Sequence, residues 1–357
     1  MTTRERAVAL AVAAARYPEL YPPSAEAMIE AIRLELGSEL ALDGFHKYAN
    51  GFTRAVPVKT ILHVVSGNTP HAALQTMLRG LLLGARNFVK FPTEGLGCLE
   101  DFPKFLSPKL SANLECSREI KPGWKDAADA WVVFGDDATV ATLRAECPPG
   151  RIFEGHGHRV SFAVVFGDSE FRSCSEAARD VSLFDQAGCM SPHVFYVSGD
   201  ARGYARRLAM ELEKMHQTNP PRGLSVGERA RIAQFREVIA FEAANSSQTE
   251  IWHSDGIPGW TVVFEADTDF RISPLDRFIF VKPLPEDLGS ALGKIRNCIG
   301  AIGIYPATMR NASQLVELGA SRICALGRMQ ETPFAWHADS RQNLAALVRW
   351  VDLETEV

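Results

Sequence analysis

Short apolar runs alternate with amphipathic stretches through the first half of the chain. Three of these runs have the length of buried strands, at residues 60–65, 87–91 and 130–134, and a segment of helical periodicity follows the first and the third. Two amphipathic helices are predicted ahead of them, over residues 4–16 and 24–36. Because buried strands that alternate with helices form parallel sheets with helices on both faces, this half predicts a doubly wound α/β lobe.

The same alternation begins again near residue 151 and predicts a second α/β lobe. Its strands are predicted at residues 161–166, 194–197, 260–265 and 278–281, and its helices at residues 173–184, 201–216 and 225–244. A further helix is predicted at the end of the chain, over residues 341–351.

Small and polar residues follow each strand of the first lobe, at residues 66–70, 90–95 and 134–140. In parallel sheets, ligands bind at such turns, where strands end and helices begin. None of the three turns contains the G-x-G-x-x-G dinucleotide pattern, so by themselves they indicate only the fold class.

The amino-acid composition of the chain serves only to exclude some classes of function. The 357-residue chain is 46% hydrophobic and 23% charged, as in ordinary globular proteins, and its formal net charge is -5. A chain without net positive charge does not offer the basic field that suits nucleic acid. The Ala-rich N-terminal helix is interrupted by Glu5 and Arg16, and no uncharged run approaches the roughly 20 residues of a membrane span. We therefore expect a cytoplasmic protein without nucleic acid or membrane partners.

One of the seven cysteines stands in an unusual position. The cysteines, at positions 98, 116, 147, 174, 189, 298 and 324, form no C-x-x-C pair and no Cys/His cluster of metal-binding spacing, so we expect reduced thiols and no metal site. Cys189 lies between Gly188 and a Met-Ser-Pro turn, where the backbone must bend and small neighbours leave the sulfur accessible. Such a place suits a nucleophile, although a cysteine can also fill a turn as a small apolar residue.

Four stretches together carry a family resemblance. They are residues 63–92 (HVVSGNTPHAALQTMLRGLLLGARNFVKFP), 155–166 (GHGHRVSFAVVF), 185–197 (DQAGCMSPHVFYV) and 322–352 (RICALGRMQETPFAWHADSRQNLAALVRWVD). In these stretches the chain resembles the acyl-CoA reductase family typified by LuxC, within the aldehyde dehydrogenase superfamily. The resemblance implies an aldehyde-dehydrogenase-like α/β fold with two doubly wound lobes. A cofactor-binding domain is expected at residues 1–154, completed by residues 328–357, and a catalytic domain at residues 155–327.

The resemblance implies an NADPH-dependent reduction of an acyl thioester to an aldehyde. Cys189 takes the position of the nucleophile, which accepts the acyl group before hydride transfer. Asn68 takes the position of the superfamily's asparagine, whose side-chain amide stabilises the oxyanion together with the backbone N–H of the nucleophile. An asparagine at this turn can also serve as a residue that tolerates a left-handed backbone, and one residue can do both.

The implied cofactor contacts lie at the ends of the first-lobe strands. Lys90 takes the position of the superfamily's lysine that contacts the adenosine ribose. NAD-preferring members carry a glutamate three residues later, where this chain has Thr93, and a threonine leaves room for a 2′-phosphate, which predicts NADPH. A shift of the alignment by one residue would place Glu94 there and predict NADH. The full set of implied cofactor contacts is Ser66, Gly67, Lys90, Thr93 and Gly135, the last at the start of a helix that faces the pyrophosphate.

Two residues near the start of the second lobe bear on the direction of the reaction. Glu154 precedes Cys189 by about the distance at which hydrolytic aldehyde dehydrogenases keep the glutamate that activates water. Residues 157–161 instead fit the Gly-His-x-x-Ser pattern of acyl-CoA reductases, which must not hydrolyse their thioester. We therefore predict that Glu154 is a loop carboxylate with at most a proton-transfer role, and that His158 positions the cofactor or relays a proton.

Two rival functions stay open at this point. The same site in the oxidative direction would make an aldehyde dehydrogenase that uses Glu154 to activate water. The rival from another class is a cofactor-binding scaffold without turnover in a biosynthetic complex, against which the presence of Cys189 and Asn68 argues. The expected substrates are acyl-CoA or a carrier-bound acyl group. An acyl-transferring partner enzyme and a homo-oligomer are both compatible with the resemblance.

Overall fold

Two compact units make up the chain. The computed structural model describes residues 1–49, 51–67, 70–168 and 170–354. The first unit comprises Met1–His158 and the C-terminal segment from Thr332, and the second comprises Arg159–Glu331. The first unit is therefore built from both ends of the chain.

Strands and helices alternate in both units. The strands are β1 (His46–Tyr48), β2 (Gly51–Pro57), β3 (Thr60–Val64), β4 (Arg86–Lys90), β5 (Leu114–Ser117), β6 (Ala130–Phe134), β7 (Ile152–His156), β8 (Val160–Val165), β9 (Pro192–Val197), β10 (Thr249–His253), β11 (Thr261–Glu265), β12 (Phe278–Pro283), β13 (Ile299–Tyr305), β14 (Arg322–Ala325) and β15 (Val348–Leu353). The helices are α1 (Thr3–Ala14), α2 (Ala25–Leu36), α3 (Pro70–Leu83), α4 (Phe102–Phe105), α5 (Pro108–Ser111), α6 (Trp124–Ala127), α7 (Asp137–Glu146), α8 (Cys174–Ser182), α9 (Ala201–Thr218), α10 (Val226–Asn245), α11 (Leu288–Ala291) and α12 (Met309–Ser313). Within the described parts of the chain, no helix combines the length and the apolar character that crossing a bilayer requires.

A five-stranded parallel sheet forms the centre of the first unit. Its strand order is β5-β4-β3-β6-β7, and each neighbouring pair runs in parallel. On one face, Leu62, Phe88 and Trp131 pack against Trp124 of α6 and Leu143 of α7. Nearly all of α3 is buried, since this helix covers the other face of the sheet.

A buried polar network joins α3 to the sheet. His63 of β3 lies 2.9 Å from the Thr76 hydroxyl and 2.9 Å from the Asn87 side-chain oxygen. The amide nitrogen of Asn87 donates to the carbonyl oxygen of Ala85 (2.7 Å), so Asn87 presents its oxygen to His63. Burial lowers the pKa of His63 to about 4, and the imidazole is therefore neutral and donates its one N–H to Asn87.

The C-terminal segment adds an antiparallel sheet to the first unit, where the sequence predicted a helix. β15 pairs with β2 in a register that places Val348 opposite Pro57, and β1 pairs with the other edge of β2. The predicted helix over residues 341–351 is therefore wrong, and within this range only Ala345–Leu347 is helical, as a 3-10 turn. Alanine and leucine favour a helix locally, but the Val-Arg-Trp-Val stretch suits a strand, and pairing with β2 satisfies its backbone.

A seven-stranded sheet forms the centre of the second unit. Its order is β10-β11-β12-β9-β8-β13-β14, and all neighbours are parallel except the edge strand β10. Phe162, Tyr196, Phe280 and Ile302 belong to its buried apolar core. The predicted alternation of parallel strands and helices is confirmed in both units.

Strand prediction succeeded where an apolar run was continuous. β3, β4, β6, β8, β9, β11 and β12 begin within about two residues of the predicted positions. The sequence analysis missed β2, β7 and β13, among others. These strands are half-buried or contain glycines, so no unbroken apolar run marks them.

Glu35 tethers the C-terminal segment to α2. Its buried carboxylate accepts the backbone N–H groups of Leu344 (2.6 Å) and Ala345 (3.1 Å).

Glu35→Ala should lower the free energy of unfolding by about 2 kcal/mol, because it leaves two largely buried donors without an acceptor. Urea denaturation followed by circular dichroism measures this change. Glu30→Ala on the same helix, which removes an exposed pair with Arg33, should cost less than about 0.5 kcal/mol. Equal losses in the two variants would contradict the tether.

Candidate active site

The carboxyl ends of β3, β4, β6 and β7 form one edge of the five-stranded sheet. Parallel pairing places Val64 beside Lys90 and Phe134 beside His156, so the loops after these strands emerge side by side. This is the edge at which open parallel sheets bind ligands. The structure brings together at this edge all the residues that the sequence predicted as cofactor contacts, namely Ser66, Gly67, Lys90, Thr93 and Gly135.

Two backbone segments meet at this edge without room for side chains. A Cβ atom on Gly67 would stand 2.8 Å from the carbonyl oxygen of Glu94, and one on Gly95 would stand 2.9 Å from the carbonyl oxygen of Gly67. Gly95 also has a left-handed backbone, with φ of +80°. Both positions therefore require glycine. Asn68, the predicted oxyanion donor, follows Gly67 directly but lies outside the described residues.

Arg118 holds the loop after β4, and the sequence analysis missed it. It follows β5, and its guanidinium donates to the carbonyl oxygens of Pro92 (3.0 Å) and Thr93 and pairs with Glu100. A cation thus lies beside Thr93, whose side chain is exposed. Only the pairing of β4 with β5 brings Arg118 to this loop, so no local sequence pattern could have indicated it.

Both aspartates after β6 accept hydrogen bonds from backbone N–H groups. Asp136 is the N-cap of α7 and accepts the N–H of Thr139 (2.7 Å), which lowers the pKa of Asp136. Asp137 accepts the N–H of His158 (2.9 Å). The N–H of Gly135 is bound as well, to a carbonyl oxygen of β7 (3.2 Å). Both carboxylates therefore accept backbone N–H groups of the protein, and that of Asp136 caps α7.

Glu154 lies in strand β7, and the prediction that it is a loop residue is wrong. It stands opposite Val132 in the ladder between β6 and β7, and its carboxylate pairs with Arg341 (3.2 Å) of the C-terminal segment. β7 escaped prediction because all its residues are only half-buried and because Gly155 interrupts its short sequence.

A small cavity opens beside the pair of Glu154 and Arg341. Its volume of about 20 Å³ is enough for one water molecule. One wall is His156, whose ring stacks on Phe134 with centroids 4.5 Å apart and whose Nδ1 lies 2.7 Å from the carboxylate of Asp339. The polar residues around the cavity are Thr76, Arg79, Glu154, His156, Arg341, Gln342 and Asn343.

Cys189 lies in the second unit, at the amino edge of its sheet. It is partly exposed and precedes β9, which begins at Pro192. The carbonyl oxygen of Cys189 accepts the hydroxyl of Ser161 (2.8 Å), and that hydroxyl in turn accepts the N–H of Ala301 (2.9 Å). The ladders on both sides of β8 shift register at this point, an irregularity that is frequent beside active sites.

Gln330 stabilises the turn that contains Cys189. Its amide donates to the hydroxyl of Ser191 (2.6 Å), and the N–H of Ser191 donates to the carbonyl oxygen of Gly188 (2.9 Å). A Cβ atom on Gly188 would stand 2.8 Å from the side-chain oxygen of Gln330. A side chain at position 188 would therefore displace the Gln330 amide, so the glycine before the cysteine suits the packing against Gln330 as well as access to the sulfur.

Two runs of three left-handed residues lie on either side of a buried ion pair near this turn. The angle φ is between +49° and +62° in residues 184–186, and between +56° and +68° in residues 275–277. Outside glycine, such a backbone costs about 1–2 kcal/mol per residue. Arg277 donates from two nitrogens to one oxygen of Asp185, at 2.8 and 2.7 Å, and so joins the two runs.

Five of the other cysteines are poor candidates for a nucleophile. Burial raises the pKa of Cys116 to about 12 and that of Cys324 to about 11, and it also raises the pKa of Cys174, Cys98 and Cys147. Thiols of this kind hold little reactive thiolate at neutral pH. Among the described residues, no three His, Cys, Asp or Glu side chains cluster as metal ligands would.

The five-stranded and seven-stranded sheets and their connections define the class of protein: the fold is that of the aldehyde dehydrogenases. An aldehyde dehydrogenase from Bacillus cereus, solved as its NAD+ complex, is similar with a TM-score of 0.68 and 13% identity, over 99% of this chain and 84% of that one. A succinic semialdehyde dehydrogenase from Streptococcus pyogenes, solved with NADP+, is similar with a TM-score of 0.66 and 12% identity, over 98% and 90%. The predicted aldehyde-dehydrogenase-like fold is confirmed.

Within this class, the chain belongs to the acyl-CoA reductase (LuxC) family, whose model matches residues 24–350. The long-chain acyl-protein thioester reductase of Aliivibrio fischeri is 21% identical to it, over 93% of this chain and 71% of the relative. The predicted family is therefore confirmed, over far more of the chain than the four stretches that first indicated it.

Proposed function

We propose that the protein reduces an acyl thioester to an aldehyde through an acyl group held on Cys189. As a member of the acyl-CoA reductase family, it is an aldehyde-forming acyl reductase. The observation that carries the proposal is the turn around Cys189. Cys189 is partly exposed there, and hydrogen bonds from Ser161 and Gln330 fix the backbone of the turn on either side of it.

The proposed reaction begins with the Cys189 thiolate, which attacks the carbonyl carbon of the acyl donor. The bond between the acyl carbon and the donor's sulfur breaks, the donor leaves as a thiolate that takes a proton from water, and the acyl group is then bound to Cys189. A bound reduced nicotinamide would supply the hydride for the carbonyl carbon and would itself be oxidised. The oxyanion that results collapses, the C–S bond breaks, and the aldehyde leaves while Cys189 returns to its thiolate form.

We assign the oxyanion to two donors, the backbone N–H of Cys189 and the side-chain amide of Asn68. The role of Asn68 rests on the family resemblance and on its place directly after Gly67. The bond from Ser161 to the Cys189 carbonyl supports a fixed orientation of the nucleophile's backbone. A preorganised donor of this kind contributes about 3 kcal/mol to catalysis.

We place the cofactor at the carboxyl edge of the five-stranded sheet. The loops after β3 and β4, which meet at Gly67 and Gly95, lie at this edge, where open parallel sheets bind ligands. Lys90 at the end of β4 would contact the adenosine ribose. Thr93 carries no negative charge, and the absence of a carboxylate at this position favours a 2′-phosphate. Arg118, which is paired with Glu100, holds the backbone of this loop. NADPH is therefore the proposed hydride donor, with NADH as the alternative.

Ser66, Gly135 and His158 would complete the cofactor site. Gly135 would contact the pyrophosphate through its Cα surface, because its N–H is already bound to β7. The exposed side chain of His158 would position the cofactor or relay a proton, while its backbone is held by Asp137. In this proposal, the first unit binds the cofactor and the second unit supplies the nucleophile.

The pair of Glu154 and Arg341 supports reduction over hydrolysis. A carboxylate held by a guanidinium is directed at that cation and not at a water beside the thioester. The second candidate function is oxidation of an aldehyde to a carboxylate, with Glu154 as the base. The water-sized cavity beside Glu154 is the observation that favours it.

The acyl donor is proposed to be a carrier-bound acyl group or acyl-CoA. The Aliivibrio fischeri relative is named for a long-chain acyl group on a protein thioester. A partner enzyme that transfers the acyl group to Cys189 is the corresponding source for this chain. Both donors present the same bond to Cys189, so the chemistry at the thiol is common to them.

Cys189→Ala should abolish acyl-enzyme formation and NADPH oxidation while the protein stays folded. The variant removes the only atom to which the acyl group is proposed to bind. Intact-protein mass spectrometry after mixing with a panel of acyl-CoA and acyl-carrier thioesters would show the acyl mass on the wild type and not on the variant. Cys174→Ala and Cys298→Ala are the matched controls and should keep activity. Appreciable reductase turnover in Cys189→Ala would exclude the covalent route.

Glu154→Gln should barely change the lifetime of the acyl-enzyme in the absence of cofactor. In a reductase, the thioester must survive until the hydride arrives, so no residue should hasten its hydrolysis. Time-resolved mass spectrometry of the acylated protein measures this lifetime, and added NADPH should discharge the acyl group as aldehyde. Rapid loss as free acid that stops in Glu154→Gln would instead identify an aldehyde oxidiser.

Thr93→Glu should weaken NADPH binding by about tenfold, since the new carboxylate would repel the 2′-phosphate. NADH, which lacks that phosphate, should bind the variant at least as well as the wild type. Calorimetry with both cofactors measures the difference. Thr142→Glu, which adds the same charge to an exposed position of α7, is the control and should leave both affinities unchanged. Unchanged affinities in Thr93→Glu would mean that the ribose contact is misplaced.

A further inference from the structure

The ion pair between Asp185 and Arg277 is almost wholly enclosed in the second unit. The Arg277 side chain is 2% exposed and that of Asp185 is 14% exposed. Arg277 also donates to the carbonyl oxygen of Asn219 (2.8 Å), and the second oxygen of Asp185 accepts the N–H of Arg222 (3.1 Å). Three separate segments of chain are thus joined by one pair of opposite charges, each of which has a further polar partner.

Gln186 extends this arrangement to the Cys189 turn. It is fully buried, and its amide donates to the carbonyl oxygens of Pro192 (2.8 Å) and Phe278 (2.9 Å). Pro192 is the first residue of β9, and Phe278 directly follows Arg277. The turn at residues 187–191 is therefore closed at its base by a bond between the residues on either side of it.

The backbone of residues 184–186 depends on these contacts. Three successive left-handed residues other than glycine persist only where the surroundings hold them, and such strain is concentrated at functional sites. If Asp185 lost its partner, the peptide planes ahead of the turn could rotate towards ordinary values. Rotation there would redirect the N–H and the thiol of Cys189, which follows only three residues after Gln186.

We propose that Arg277 is a positioning residue for Cys189: its pair with Asp185 holds the strained backbone ahead of the nucleophile in the orientation that acyl transfer needs. The inference rests on the proposed function, since it concerns attack by Cys189 on an acyl donor. Arg277 acts through Asp185 and Gln186 and belongs to a loop some ninety positions further along the chain. Its loss should slow the step that needs an oriented thiolate and spare steps that do not.

The test compares Arg277→Met and Asp185→Asn with the control Arg231→Met. Arg231 pairs with Asp276 (3.1 Å) of the same left-handed run, but its side chain is 47% exposed. For each protein, rapid mixing with acyl-CoA gives the rate of Cys189 acylation by intact mass. The rate of Cys189 alkylation by iodoacetamide, NADPH affinity and thermal unfolding are measured alongside.

Arg277→Met and Asp185→Asn should acylate Cys189 about tenfold or more slowly, because a misplaced nucleophile loses rate steeply. Alkylation by iodoacetamide, a small reagent that needs no fixed approach, should change by less than about threefold. NADPH affinity should stay unchanged, and Arg277→Lys should recover part of the acylation rate. Arg231→Met should resemble the wild type. Asp185→Asn keeps the size of the side chain, so it tests the positioning role if Arg277→Met does not fold.

Two results would overturn the inference. One is acylation at the wild-type rate in folded Arg277→Met or Asp185→Asn. The other is an equal loss of acylation in Arg231→Met, which would assign the effect to general destabilisation. A wild-type protein that is alkylated at Cys189 but never acylated would overturn the proposed function instead, and the inference with it.

Discussion

Parallel pairing of buried strands decides where each candidate residue lies. In a parallel sheet, the loops that follow the strands share one edge, and the loops that precede them share the other. In the first unit, the candidate cofactor residues follow strands and gather at the carboxyl edge. In the second unit, Cys189 precedes β9 and therefore lies at the amino edge. The proposed nucleophile thus occupies the edge that open α/β sheets seldom use for ligands, and a hydrogen-bonded turn holds it there.

That turn is stabilised by polar contacts that offset an unfavourable backbone. Residues 184–186 would each cost about 1–2 kcal/mol in the left-handed region. Buried amides, hydroxyls and one ion pair supply the compensation, from Ser161, Gln186 and Arg277. Because each of these bonds points to a particular carbonyl or carboxylate oxygen, they define one backbone conformation, which general apolar packing would not do.

The C-terminal segment connects the fold of the first unit to its chemistry. It is tethered by Glu35, adds β15 to the edge of β2, and supplies Arg341 to the carboxylate of Glu154. Glu154, whose role the proposed function sets between reduction and hydrolysis, is therefore paired with a segment far away in sequence.

Local sequence by itself determined the continuous buried strands, the helices between them and the unusual turn at Cys189, since these depend on neighbouring residues. It misjudged residues 341–351, because pairing with β2 outweighs a weak helical preference, and it placed Glu154 in a loop, because a half-buried strand carries no apolar run. Arg118 and Arg277 gave no signal at all. Arginine is ordinary on any surface, and only tertiary structure turned one of these side chains towards the loop at Thr93 and enclosed the other against Asp185. Long-range pairing of this kind depends on which segments the sheets bring together, and local sequence patterns do not encode it.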